Sequence, residues 1–124
     1  MHPLNKLHVY GQAQALVSAV RQQCESISDR DLQWQLMRAV RSIAANLAEG
    51  AGSESQAAFA RYVAIAIGSA KETESHLGMA VEAGLISAEV HQLLVARLNQ
   101  LTPRLVALLT ALRRNASRKS REIP

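Results

Sequence analysis

Aromatic residues, glycine, proline and cysteine are all scarce in this chain of 124 residues, and each scarcity excludes something. A single cysteine, Cys24, rules out an internal disulfide and a cysteine-based zinc site. Aromatics make up 3% against 48% hydrophobic residues, so the core has to be built from Leu, Val, Ile and Ala. With six glycines and three prolines there is little turn chemistry, which favours helices packed on helices over a sandwich or barrel. No apolar run approaches the ~20 residues that a membrane-spanning helix needs. The opening MHPLNKLHVYGQ lacks the charged-then-apolar pattern of a secretion signal, so a cytoplasmic protein without membrane contact is expected. The length suits one domain with a core of its own.

Charge is present but unevenly placed. Residues 1–112 hold nine Lys and Arg against nine Asp and Glu. The last twelve residues, RRNASRKSREIP, carry Arg113, Arg114, Arg118, Lys119 and Arg121 against Glu122, and so hold the whole net charge of +4. The expected organisation is a bundle domain over 1–114 and a basic, disordered tail over 115–124, because serines and charges without apolar residues cannot support packing.

Four segments show apolar residues at alternating steps of three and four. The first, starting between Leu4 and Gln12, runs through Tyr10, Ala13, Val17, Val20, Cys24 and Ile27. Cys24 lies inside that stripe, as a buried structural thiol would. Ser28 is placed to cap the second helix, which carries Leu32, Leu36, Val40, Ile43 and Leu47. The third runs from about Ser55 to about Ala83, with Gly68 and Gly78 inside it, where close approach of a neighbouring helix would offset the cost of glycine. Gly84 stops it, and Ser87 caps a fourth helix with Leu94, Leu98, Leu101, Leu105, Leu108 and Leu112, kinked at Pro103. Short breaks favour antiparallel neighbours, hence an all-α, up-down-up-down antiparallel four-helix bundle.

Gly50 and Gly52 invite comparison with a phosphate-binding loop. Such a loop follows a strand and opens onto a helix, whereas these glycines follow a helix and lack the accompanying Lys-Ser/Thr. They read as a helix stop, with Gly50 left-handed and Ser53 or Ser55 capping the third helix. A second row on helix two, Gln35, Ala39, Ser42, Asn46 and Glu49, is small or hydrogen-bonding. It fits either a solvated flank or a close polar seam against another helix or another subunit.

QLMRAVRSIAANLAEGAG (Gln35 to Gly52), then Ser55, Phe59, Arg61 and Tyr62, then IAIGSAKETESHLGMAVEAGLI (Ile65 to Ile86), resembles the four-helix bundle proteins encoded in 23S ribosomal RNA intervening sequences. The resemblance covers roughly the central half of the chain. It implies a four-helix bundle that assembles into homopentamers, with no established reaction. It also implies a distant kinship with the accessory protein of diversity-generating retroelements, which binds a reverse transcriptase and nucleic acid. Gln35, Arg38, Ser42, Asn46, Glu49, Gly50, Gly68, Ser69 and Glu72 fall on the pattern's polar or glycine positions. Ser53 stands where a basic residue is frequent, and Ala58 where an acidic one is.

A catalytic site does not emerge from the residues. Glu72, Glu74 and His76 form one Glu-x-Glu-x-His run without a partner motif on another helix, so no metal or cofactor is expected. Glu49 and Glu72 could pair across helices two and three, but a structural cluster with Asn46, Arg38 and Ser69 fits better. No nucleophile elbow accompanies the serines. The expectation is a non-enzymatic homo-oligomer, a pentamer as the resemblance implies, with Gln35, Ser42, Asn46, Glu49 and Glu72 as a candidate seam. RNA or DNA, or an enzyme acting on them, is the expected partner, met by Arg113, Arg114, Arg118, Lys119 and Arg121. The alternative is a structural or protein-interaction module with no nucleic-acid role.

Overall fold

A computed structural model describes the backbone of residues 3–122 and the side chains of residues 8–119. Four helices follow one another: α1 (Pro3–Cys24), α2 (Arg30–Ala51), α3 (Gln56–Glu82) and α4 (Ala88–Glu122), with no strand among the described residues. Contacts join α1 to α2, α2 to α3, α3 to α4 and α4 back to α1, which sets the helices in a ring. Leu16, Leu36, Ile43, Leu77, Leu98 and Leu105 are among the fully buried side chains at its centre. Phe59 is the one aromatic ring buried with them, as the composition required.

Local signals explain the boundaries, with corrections. The cap of α2 is Asp29 rather than Ser28: its carboxylate accepts from the Leu32 N–H at 3.0 Å. The carbonyls at the end of α1 are met from a distance, since the Gln33 amide donates to those of Cys24 (3.2 Å) and Glu25 (2.6 Å). Ser55 and Ser87 cap α3 and α4 through the Ala58 and Val90 N–H groups. At Gly84, with φ +73°, α3 closes in a Schellman arrangement: Leu85 donates to the Ala80 carbonyl and Gly84 to that of Val81. In α1 the inward stripe is Val9, Ala13, Leu16, Val20 and Cys24, while Tyr10 and Val17 are half-buried at its edge.

The break after α2 falls at the glycine pair as expected, but the conformation expected there and the state expected for the end of the chain are both corrected. Gly50 lies within α2, which continues to Ala51, and Gly52 caps the helix at φ −88°. Neither is left-handed, for Gly84 is the positive-φ residue among those described. The stretch from 115, expected to be disordered, is helix as far as Glu122. Neither Gly nor Pro follows Pro103 before that point, Ala, Arg and Lys favour helix, and Asn115 and Ala116 are half-buried rather than free in solvent. Residues 123 and 124 lie outside the described residues. α4 also passes through Pro103 without interruption. Pro103 and Asn99 are both exposed, so water can reach the carbonyl that the proline leaves without a donor.

Candidate functional site

The polar row of α2 is divided by its environment. Its centre faces α3 in the same chain: Ser42 Oγ and Ser69 Oγ are 2.8 Å apart, and the Asn46 amide donates to the Ser42 carbonyl and hydroxyl at 2.8 and 3.0 Å. Thr73, fully buried, donates to the Ser69 carbonyl at 2.8 Å. Small residues let the two helices approach, and the hydroxyls satisfy one another where the backbones are close. Gln35 instead lines a recess with Asp31, His76 and Met79, and Glu49 is exposed. Glu72 meets His76 on its own helix at 3.5 Å. The expected cluster forms only in part: Asn46 and Ser69 meet through Ser42, while Glu49, Glu72 and Arg38 take no part in its hydrogen bonds.

Gly50 completes this interface in a way periodicity did not reveal. A Cβ on it would lie 2.7 Å from Phe59 Cδ1 and 2.8 Å from Tyr62 Cβ, distances that only glycine can accommodate. Gly68 and Gly78 behave oppositely, because a Cβ on either would meet nothing within 4 Å. The close approach expected at those two is absent within the described chain.

The basic end of α4 is a helical display. Arg113, Arg114, Arg118 and Lys119 are exposed, and the Arg121 side chain lies outside the described residues. Arg113 and Ala116 share an open groove with Ala57, Ala60, Arg61 and Ile65 of α3. Arg61 and Arg113 thus reach one depression with an apolar floor, a pairing of body and C-terminal charge that sequence distance concealed. On the other side of the ring, Trp34 is 63% exposed, and the Arg38 guanidinium sits over its ring at 5.7 Å from the centroid.

No group of three or more His, Cys, Asp or Glu that could hold a metal occurs among the described residues. Burial pushes the Cys24 thiol up from 9.0 to about 11, which keeps it protonated and unreactive at neutral pH. None of the described helices is long and apolar enough to cross a membrane.

The family model of the 23S rRNA-intervening sequence protein matches residues 5–107. The chain belongs to that family. The chain shares its fold with a solved structure, that of a protein of unknown function from the S23 ribosomal protein family of Bacteroides thetaiotaomicron. The two share 21% identity with a TM-score of 0.77, over 86% of this chain and 98% of the other. No curated protein matches the chain. The family model spans most of the ring, including the Ser42–Ser69 interface and Gly50, and stops short of the basic end of α4.

Proposed function

We propose that this protein is a non-enzymatic homo-oligomer that binds the phosphate backbone of RNA or DNA, or of nucleic acid held by a partner enzyme, through the basic end of α4. The observation that carries the reading is the groove where Arg61 of α3 and Arg113 of α4 converge. Arg114, Arg118 and Lys119 continue the positive surface, and none is paired with a carboxylate among the described residues. Unpaired guanidinium and ammonium groups on a helix attract phosphates without reading bases, because the contacts are made to the backbone. Alternation of the helices up and down around the ring is supported by the short connections and by contact between consecutive helices. Such alternation brings the start of α3 beside the end of α4, consistent with that groove.

Assembly is supported by the outer face of α3. Ile65 and Met79 are exposed large apolar residues, and Gly68 between them is an exposed helical glycine with open space where a side chain would be. A second copy seated there would use both features. The pentamer itself is the stoichiometry that the family resemblance implies. The same face supports the competing reading, a protein-interaction module without nucleic acid.

Anisotropy titrations of labelled RNA at rising salt separate the two. The intact protein is expected to bind weakly, without sequence preference, and to lose affinity steeply with salt. Replacing Arg113, Arg114, Arg118 and Lys119 by Gln should reduce the slope of log K against log salt by about 3 for a single strand. Binding with an unchanged slope would place the site elsewhere. No binding by the intact protein at low salt would leave the interaction module.

A further inference from the structure

We infer that the outer face of α2 is a stacking site for single-stranded nucleic acid, with Trp34 as the platform for a base and Arg30, Arg38 and Arg41 as contacts to the flanking phosphates. The inference rests on the nucleic-acid reading above and adds to it both a second surface and a substrate class. Four residues at steps of four, four and three, Arg30, Trp34, Arg38 and Arg41, lie on the side of α2 opposite its buried stripe, and all four are exposed. By helix rise they extend over about 16 Å.

Trp34 needs explaining. An indole is among the largest apolar groups a chain can bury, yet here it is 63% exposed while the chain's leucines fill the core. Phe59 is buried and Tyr10 and Tyr62 are half-buried, so Trp34 is the described aromatic left open for stacking. The Arg38 guanidinium sits over the ring at 5.7 Å from its centroid, which holds a cation against the indole while Trp34 stays largely exposed. No carboxylate pairs with Arg30, Arg38 or Arg41 among the described residues. The carboxylates nearest in sequence are engaged elsewhere: Asp29 caps α2 through the Leu32 N–H, and both Asp29 and Asp31 line the recess with Gln35 and His76 of α3. A positive stripe with an aromatic at its centre complements an unpaired strand, which offers both phosphates and exposed base faces. A duplex offers the phosphates alone, its bases being already stacked.

The chain has one tryptophan, so its intrinsic fluorescence reports this site alone. Full-length protein is titrated at low salt with an oligouridylate and with an RNA duplex of equal length. The single strand should quench Trp34 fluorescence and the duplex should leave it nearly unchanged. Trp34→Ala should bind the single strand about tenfold more weakly, as expected for loss of one stacked base, with duplex affinity unaltered and Trp34→Phe largely restoring it. Quenching by the single strand should persist, at reduced affinity, when Arg113, Arg114, Arg118 and Lys119 are replaced by Gln. Equal affinity of Trp34→Ala and the parent for the single strand would overturn the inference while leaving the α4 reading intact, as would equal losses for both nucleic acids. A changed oligomer mass for Trp34→Ala would make the face a subunit interface and also overturn it. No binding of either nucleic acid would remove both readings.

Discussion

Gly50, in the last turn of α2, and Gly68, in the middle of α3, have opposite reasons for being glycine. A Cβ at Gly50 would run into Tyr62 Cβ, an atom fixed to the α3 backbone that no rotamer change can withdraw. Ala favours a helix interior by ~1 kcal/mol over Gly, but here the overpacking dominates. Gly50→Ala is expected to lower stability by about 1–3 kcal/mol in chemical denaturation. A melt equal to or above the parent's would show that α2 and α3 can separate at this point. From sequence, Gly50 looked like a turn residue because a Gly-x-Gly pair after a helix is a common stop signal. The contact that makes it glycine comes from Phe59 and Tyr62, on the far side of the α2–α3 connection, and no local pattern encodes it.

The helices were nonetheless readable as elements, and the reasons are physical. Leu94, Leu98, Leu101, Leu105, Leu108 and Leu112 repeat with the period of a buried helical face, and all six are buried. α1 was less exact because Leu16 and Val17 are adjacent and apolar, so periodicity alone leaves the register open by one residue. The end of α4 was misread because charge density argues for solvation while helix propensity argues for helix, and propensity prevails where Asn115 and Ala116 find partial cover. The polar row of α2 had two readings, and packing selects one: its centre belongs to the joint with α3. Ser42→Arg should therefore unfold the chain, driving a long cation between two helices that meet through hydroxyls 2.8 Å apart. Thermal melts with size-exclusion chromatography check this. A folded monomer released from a larger parent would assign the row to the subunit contact instead.

Assembly concerns the molecule as a whole, and the face marked by Ile65, Gly68 and Met79 is where it is tested. If that face is free, Gly68→Ala should raise stability by about 1 kcal/mol and leave the mass unchanged, since no atom stands in the way. If a second copy covers it, Gly68→Arg should lower the mass measured by light scattering while preserving helical circular dichroism. A multimeric parent that loses mass on Gly68→Arg supports the proposed assembly; a parent of monomer mass at micromolar concentration ends it. The proposed nucleic-acid surfaces were the least readable part of the chain. Arg61 and Arg113 are far apart in sequence, and the importance of Trp34 lies in its exposure, which composition does not report.

The ring of contacts also bears on how the chain reaches its fold. Each helix touches those before and after it in sequence, and the pairing of α1 with α4 alone joins distant segments. Three of the four interfaces can therefore nucleate as neighbouring hairpins, with little loop-closure entropy to overcome before the first favourable contacts form. Such a topology belongs with proteins that fold in microseconds to milliseconds. A chain emerging from a ribosome could close the α1–α2 and α2–α3 joints while α4 was still being made, with the basic end the last to arrive.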